Sequence, residues 1–272
     1  SQSETSMQTR RNLKGLQATH NMPVKLPIIT ASDEEMSQFD SSDSEEEGQL
    51  QTDPLQVDWL SLSSVGREES LGICALPGCR FKETWRSLDA DLVHYRPLVA
   101  VDRGTDNNMS ILIKNSIHKQ IQEDLNAQSI RDIFVLCTRG ELHKYRVPRL
   151  LERYEEADFT VHHHSFPDGT VPAMAVCVKL LEELKLCLSQ GQKTVIHCFG
   201  GLGRSCLVAA CLLLYLDENT DPQAALQRVQ LVRGHGAVQT VRQYNFLNDF
   251  RKNLEEYEAS DEAQAQQRSL SR

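Results

Sequence analysis

The sequence predicts an α/β fold in which a central, mainly parallel sheet has helices on both faces. Short apolar runs that suit buried strands alternate along the chain with longer amphipathic stretches that suit helices. The stretch 204–216, "RSCLVAACLLLYL", is apolar nearly all round, which is typical of a central helix. A glycine-rich turn joins this stretch to the apolar run before it, so the chain shows the strand–turn–helix order of such folds.

The predicted elements can be placed in chain order from periodicity and from helix end signals. Pro148 is tolerated in the first turn of one helix, and Gly191 ends another. We expect strands at 70–78, 130–137, 159–166 and 193–198, and helices at 121–128, 146–158, 171–191, 204–217, 221–234 and 240–258. The stretch 84–115 shows no steady period, and we leave it unplaced.

The composition divides the chain into one folded domain and two polar ends. We expect a disordered acidic tail at 1–55, a domain at 56–258 with an insertion at about 84–115, and a disordered tail at 259–272. Residues 32–47 carry eight acids among several serines. They are either a solvated tail or a regulatory one, since phosphorylation of the serines would add negative charge.

Charge and cysteine usage exclude several classes of protein. The net charge of −9 argues against a nucleic-acid binder, which needs a basic surface. We find no signal-peptide pattern and no apolar run long enough for a bilayer. The eight cysteines form no C-x-x-C pair and do not suggest a disulfide scaffold. We therefore expect a cytoplasmic monomer, with a perinuclear or nuclear location as an alternative, and no membrane partner.

The stretch "HCFGGLGRS", residues 197–205, has the composition of an anion-binding loop. The N–H groups of a glycine-rich turn can converge on an anion, and the start of the following helix adds its positive end. Arg204 presents a planar fork that matches two phosphate oxygens. Five residues separate Arg204 from Cys198, which is enough to close a small loop.

Cys198 would make this loop reactive as well as anion-binding. A cationic, N–H-rich loop lowers the pKa of a thiol from its reference value of about 8.5. The thiolate could then attack a cradled phosphoryl group, giving a cysteinyl-phosphate that water hydrolyses. The loop amides and Arg204 would stabilise the transferring oxygens, so we expect no metal and no cofactor.

The leaving oxygen needs a proton, and "HSFPDG" offers Asp168 as the donor. This aspartate follows a predicted strand, so in a parallel sheet its loop opens at the same edge as Cys198. Such an acid protonates the leaving oxygen and then activates the attacking water. The alternative is an ordinary Asp-Gly turn.

The motifs resemble those of the cysteine-dependent dual-specificity protein phosphatases, whose loop reads H-C-x5-R-S/T. Within that group the chain is similar to the kinase-associated phosphatases, from about Phe39 to its end except near 84–115. The stretches that carry the similarity include "LGICALPGCRFK", "IRDIFVLCTRGEL", "HHHSFPDG", "VIHCFGGLGRSCLVAACLLLYL" and "GAVQTVRQYNFL". The form "FPDG" departs from the "ADG" of that family, although the acid is present.

The resemblance implies a protein tyrosine phosphatase-like fold and a role for each loop residue. Cys198 would be the nucleophile, Arg204 the phosphate clamp and Asp168 the general acid. His197 would tune the thiolate, and Ser205 would help it leave in the second step. The phosphate-binding loop would comprise Phe199, Gly200, Gly201, Leu202, Gly203 and Arg204. The implied substrates are cyclin-dependent kinases, dephosphorylated on the activation loop, which would regulate the cell cycle.

Three alternatives to this function stay open. The domain could be a catalytically weak or inactive module that binds kinases. The anion loop could serve sulfur or arsenate chemistry, although a reductase would need more redox cysteines near the loop. A histidine set could hold a metal ion, although the sequence shows no acidic ligand cluster beside it. That set comprises His162, His163, His164 and His197.

Four further residues could lie at the site, and the choice between phosphothreonine and phosphotyrosine stays open. Arg139 and Glu141 follow a predicted strand, and we favour a surface pair over a place at the site. Gln239 and Gln243 either flank the site or begin a plain helix.

Overall fold

The computed structural model describes residues 49–51, 53–93, 95 and 129–270. The acidic tail up to residue 48, the predicted helix 121–128 and most of the unplaced stretch 84–115 lie outside the described residues. The described part of the chain contains a five-stranded sheet, a two-stranded hairpin and eight α-helices.

Four of the five sheet strands are parallel, which confirms the predicted fold class. The sheet order is β1-β2-β7-β5-β6, with β1 antiparallel to β2 and the other neighbours parallel. Its strands are β1 (Val57–Ser61), β2 (Ser70–Cys74), β5 (Ile130–Val135), β6 (Thr160–His163) and β7 (Lys193–His197), and the hairpin consists of β3 (Arg80–Phe81) and β4 (Thr84–Trp85). The sequence did not predict β1, an edge strand in which Leu60 is the one buried residue.

Helices cover both faces of the sheet, as predicted. The helices are α1 (Leu88–Val93), α2 (Arg139–Lys144), α3 (Leu150–Glu156), α4 (Met174–Ser189), α5 (Arg204–Leu216), α6 (Pro222–Arg233), α7 (Val241–Asn248) and α8 (Phe250–Leu270). Apolar side chains of α4 and α5 fill one core cluster, and those of α2 and α3 fill the cluster on the opposite face. The central helix α5 is buried from Arg204 to Leu214, which confirms the interpretation of its apolar surface.

The C-terminal part differs from the prediction in two ways. The stretch 240–258 forms two helices, because α7 ends at Asn248 with Asp249 as its C-cap, and the buried Phe250 begins α8. The disorder expected at 259–272 is wrong for 259–270, where α8 continues. This stretch contains alanine, glutamate, glutamine and arginine but no glycine or proline. Such residues favour helix, and extending a helix already nucleated on the core costs little.

The first part of the unplaced stretch also belongs to the domain. Residues 84–93 form β4 and α1, and Tyr95 is buried against the sheet. The Gln51 N–H donates to the Trp85 carbonyl at 2.7 Å, and Leu55 is buried, so the expected disordered tail does not extend to residue 55. The alternation of apolar and polar residues could not identify β4, because this strand has two residues.

A buried ion pair fixes α1 to the hairpin. Arg86 Nη2 donates to Asp91 Oδ1 at 2.7 Å, and Arg86 Nε donates to the same carboxylate at 3.1 Å. The Gly78 N–H donates to Asp91 Oδ2 at 2.8 Å. Both charged side chains are buried, at 7% and 2% exposure, so Asp91 is the buried partner of Arg86, whose second carboxylate partner, Asp53, is exposed.

We predict that Asp91→Asn destabilises the domain strongly. Removing the carboxylate charge leaves the buried Arg86 guanidinium with only the exposed Asp53 carboxylate, 3.5 Å away, and breaking a buried pair in this way costs about 3–5 kcal/mol. Asp89→Asn on the same helix is the matched control, because its pair with Arg153 is exposed and worth about 1 kcal/mol or less. Urea denaturation measures both variants, and equal losses of unfolding free energy would contradict the interpretation.

Candidate active site

The loop between β7 and α5 has its carbonyl groups turned outward. Four successive carbonyls accept hydrogen bonds from outside the loop: Phe199 O from Leu76 N at 2.9 Å, Gly200 O from Arg233 Nη2 at 3.0 Å, Gly201 O from Arg233 Nε at 3.1 Å, and Leu202 O from Val238 N at 2.9 Å. Carbonyls held on the outside do not repel an anion at the loop centre. The loop can therefore offer its N–H groups to an anion.

Arg233 links this loop to the edge of the sheet. It lies at the end of α6 and forms an ion pair with Asp58 of β1 through Nη1. Its other two nitrogens donate to the loop carbonyls of Gly200 and Gly201. The edge strand and α6 thus position the loop, although neither contributes an atom to its interior.

Two of the loop glycines have close neighbours, and backbone geometry requires glycine at Gly201. Gly201 adopts φ +67°, and a Cβ there would overlap the Cys74 carbonyl group. A Cβ at Gly203 would lie 2.8 Å from Gln239 Oε1 and 3.4 Å from Gln243 Nε2. Both glutamines therefore flank the loop, which confirms the first of their two interpretations.

Arg204 is fully buried and is held by Glu141 of α2. Its Nη2 donates to Glu141 Oε1 at 2.7 Å and its Nη1 to Oε2 at 2.9 Å. Nη1 also donates to the carbonyls of Leu136 and Phe166. Burial opposes the charge on the guanidinium, but the hydrogen bonds to Glu141 outweigh it and raise the pKa of Arg204. The cation is thus fixed in place before any substrate arrives.

Glu141 was predicted to be part of a surface pair, and this is wrong. Burial opposes its ionisation, but hydrogen bonds from Arg204 and from the Thr138 backbone lower its pKa below the ordinary value. Thr138 and Glu141 also form the capping box of α2, which fixes the carboxylate at the helix start. The sequence contained this capping signal as T-x-x-E. Arg139, the other member of the expected pair, is exposed.

Asp168 lies beside Arg204, so the two loops meet at the same sheet edge. Its Oδ1 is 3.2 Å from Arg204 Nε, and the carboxylate side chain is 54% exposed. The turn after it is anchored to α7, because Thr240 Oγ1 donates to Gly169 O at 3.1 Å and Gln243 Nε2 to Thr170 O at 3.3 Å. The carboxylate therefore stands at the mouth of the loop.

Cys198, His197 and Ser205 lie beneath the loop. The Cys198 side chain is buried at the end of β7, at 2% exposure. Burial lowers the pKa of His197 to about 3, and its Nε2 lies 2.9 Å from the Tyr154 hydroxyl oxygen. The neutral ring can affect Cys198 through hydrogen bonding but not through charge.

Three buried polar atoms of the site residues are without hydrogen-bond partners among the described residues. They are His197 Nδ1, Arg204 Nε and Ser205 Oγ. Nε is within ion-pair distance of Asp168, although the geometry makes no hydrogen bond. Unsatisfied buried polar atoms are costly, so their presence at the loop fits groups that bond to a bound phosphate or to the thiolate.

The outer wall of the site is aromatic. The Phe199 ring stacks on Tyr145 with 4.3 Å between centroids and meets Phe81 edge-on at 6.2 Å. Lys144 Nζ lies 5.1 Å from the Phe81 ring centroid. Beside the loop, these aromatic rings and the Lys144 ammonium group thus form a positive, aromatic rim.

The structure separates the four histidines of the predicted metal set. His197 faces Tyr154, and His163 Nε2 contacts the Cys137 carbonyl at 2.9 Å. His162 and His164 share a strand face away from the loop and contact Glu183. No metal site at the phosphate loop arises from these four residues.

Comparison with known proteins decides the family. A family model described as cyclin-dependent kinase inhibitor 3 (CDKN3) matches residues 28–102 and 110–226. The rat protein of that name is 45% identical over 236 residues, which covers 87% of this chain and 96% of the relative. The human protein is 44% identical over the same coverage. The chain belongs to the cyclin-dependent kinase inhibitor 3 family.

A solved structure supports the assignment. A crystal structure of kinase associated phosphatase, in which the catalytic site cysteine is substituted by serine, is 44% identical. It matches with a TM-score of 0.61 and covers 75% of this chain and 98% of that chain. The chain is therefore a dual-specificity protein phosphatase with a protein tyrosine phosphatase-like fold, as its motifs implied. The family match also includes most of the stretch 84–115, apart from 103–109.

We predict that Gly201→Ala greatly reduces turnover while Gly200→Ala does not. The added methyl at 201 forces the loop away from Cys74, and a displacement of about 1 Å at a reacting centre costs on the order of 100-fold in rate. A Cβ at Gly200 meets no atom within 4 Å. Hydrolysis of para-nitrophenyl phosphate, with thermal denaturation of both variants, measures the difference. Similar rates for the two variants would contradict this view of the loop.

Proposed function

We propose that the chain hydrolyses phosphothreonine and phosphotyrosine esters through a phosphate bound to Cys198. The observation that carries the proposal is the loop whose four carbonyls are bonded outward around a buried cysteine and a fixed Arg204. Such a site stabilises the negative charge that spreads over the oxygens of a phosphoryl group during its transfer.

In the first step the Cys198 thiolate attacks phosphorus and the P–O bond to the side chain breaks. The loop N–H groups and Arg204 stabilise the three non-bridging oxygens as charge redistributes. Arg204 Nε supplies a donor that the protein leaves unbonded. Asp168 donates its proton to the leaving oxygen, so threonine or tyrosine departs as a neutral alcohol or phenol.

In the second step water attacks the phosphorus of the cysteinyl-phosphate. Asp168, now ionised, accepts a proton from that water, and the S–P bond breaks. Ser205 Oγ is buried and free to donate a hydrogen bond to the departing sulfur. Inorganic phosphate leaves, and the enzyme returns to its initial state with thiolate and protonated Asp168.

The substrate we propose is the phosphorylated activation segment of a cyclin-dependent kinase. The basis is the name of the family to which the chain belongs. The positive, aromatic rim formed by Phe81, Lys144 and Phe199 suits a peptide that carries a phosphate. Removal of that phosphate would regulate the cell cycle. We expect the enzyme to act as a monomer in the cytoplasm or nucleus, where such kinases occur.

The second candidate function is that of a module that binds the kinase without removing its phosphate. Nothing at the described site is disabled, because Cys198, Arg204 and Asp168 are all present and Arg204 is positioned by Glu141. We therefore favour catalysis, and binding would accompany it.

We predict that Cys198→Ser abolishes phosphate release but keeps kinase binding. Serine lacks the ionised nucleophile, and losing a nucleophile costs on the order of 10⁴-fold or more in rate. The assay is phosphate release from a phosphothreonine-bearing cyclin-dependent kinase, with binding measured separately. Cys177→Ser, a buried thiol of α4, serves as the control and should retain turnover. Full turnover by Cys198→Ser would eliminate the mechanism, and binding without turnover by the unmodified chain would favour the module.

A second prediction tests whether Asp168 acts as the general acid or only forms a turn. Asp168→Asn cannot donate the proton, so hydrolysis of a phosphothreonine peptide should fall by about 10² to 10⁴. An aryl phosphate with a strongly acidic leaving phenol needs no proton, and its rate should fall much less. Steady-state rates for both substrates with one variant provide the internal control. Equal losses would assign Asp168 a structural role.

A further inference from the structure

A second cluster of chemically active side chains lies outside the phosphate loop and the acid loop. It joins β5, β6 and α4, and the proposed function does not use it. We call it the histidine cluster, and its members are Asp132, His162, His164, Glu183 and Cys187.

The donor atoms of the histidine cluster converge. His162 Nε2 lies 2.9 Å from Asp132 Oδ1 and 3.7 Å from Cys187 Sγ. One ligand atom each from Asp132, His162 and Cys187 lie within 4.8 Å of one another. Glu183 Oε2 lies at the other ring nitrogen, 3.1 Å from His162 Nδ1, and is 2.7 Å from His164 Nε2.

The cluster is sheltered and its central ring is held in place. Asp132 and Cys187 are buried, at 5% and 7% exposure. The His162 ring stacks on Phe134 with centroids 4.2 Å apart and an interplanar angle of 6°. The ring can turn little in this position, so its two nitrogens stay directed at the neighbouring donors.

We propose that the histidine cluster binds a divalent transition-metal ion of the zinc class. Cys187 Sγ, His162 Nε2 and Asp132 Oδ1 would be three ligands, and a water molecule would complete the tetrahedral geometry that Zn²⁺ prefers with thiolate, imidazole and carboxylate donors. Glu183 would not touch the ion but would hold the ring through Nδ1, as carboxylates commonly do behind a metal-bound histidine. The sequence shows no acidic residue beside the histidines, whereas the fold brings in Asp132 and Glu183 from two other elements.

The competing view is an ion-pair cluster in which no metal takes part. His162 has a carboxylate at each ring nitrogen, so a protonated ring already balances charge there. That arrangement does not require a thiol from Cys187. A metal would displace one proton from His162 and one from Cys187, so two protons would be released for each ion bound.

A metal in the histidine cluster would tie α4 to the strand from which the acid loop starts. His164 immediately follows β6 and contacts Glu183. Two residues later, the Phe166 carbonyl accepts from Arg204. The site is therefore structural, cross-linking three elements behind Asp168, and it supplies no group to the reaction.

Cobalt binding tests this site without relying on activity. The full chain would carry Cys198→Ser, because the thiol of the phosphate loop can itself bind soft metal ions. Titration with Co²⁺ reports a thiolate ligand by a sulfur-to-cobalt charge-transfer band and tetrahedral geometry by intense visible bands. We expect one Co²⁺ per chain, displaced by Zn²⁺. Adding Cys187→Ser should remove the charge-transfer band and weaken binding at least about tenfold, whereas adding Cys177→Ser should change neither.

Two measurements keep the proposal testable if Cys187→Ser does not fold. His162→Gln removes the imidazole ligand and should also lose tetrahedral Co²⁺ binding. Zn²⁺ should raise the thermal midpoint of the Cys198→Ser chain and not that of its His162→Gln derivative, since a ligand stabilises only the state that binds it. Absence of the charge-transfer band, or a band that persists when Cys187 or His162 is replaced, would overturn the proposal.

Discussion

The outward hydrogen bonding of the phosphate loop is the constraint on which the site depends. A chain of amides can surround an anion only if its carbonyls point elsewhere, and each outward carbonyl needs a donor. Here the backbone of Leu76 and Val238 and the side chain of Arg233 provide those donors. Asp58 in turn fixes Arg233 from the edge strand. The packing of β1, α6 and the segment before α7 therefore determines whether the loop can hold an anion.

Carboxylates balance the charge of two arginines near the loop, so both arginines are held in position before a substrate binds. Arg204 pairs with Glu141 and lies beside Asp168, while Arg233 pairs with Asp58. Unpaired buried charges would be costly, and these carboxylates offset that cost before a phosphate binds. Because Glu141 occupies Nη1 and Nη2, the unbonded Nε is the donor directed at the substrate side. A bound phosphate would compete with Asp168 for Nε, which frees the acid for the leaving oxygen.

Local sequence signals predicted the reactive loop, whereas the groups that hold it came from distant parts of the chain. The stretch "HCFGGLGRS" between a strand and an apolar helix was enough to predict that Cys198 and Arg204 share one loop. The parallel arrangement of the strands predicted that Asp168 lies at the same edge of the sheet. Glu141 and Asp58 could not be assigned, because a single carboxylate has no periodicity and its partner is set by tertiary packing. The histidine cluster could not be predicted for the same reason, because tertiary packing brings Asp132 and Glu183 to His162. The extent of α8 was missed because polarity was interpreted as disorder, although its residues favour helix.

The most direct measurement is a crystal structure of the unmodified chain with orthovanadate, which copies the five-coordinate geometry of phosphoryl transfer. The expected structure has vanadium bonded to Cys198 Sγ, with its equatorial oxygens accepting from the loop N–H groups and from Arg204 Nε. The carbonyls from Phe199 to Leu202 should stay on their outside donors. Vanadate bound away from Cys198, or loop carbonyls turned toward it, would contradict the central claim that this loop is an anion site built around a reactive sulfur.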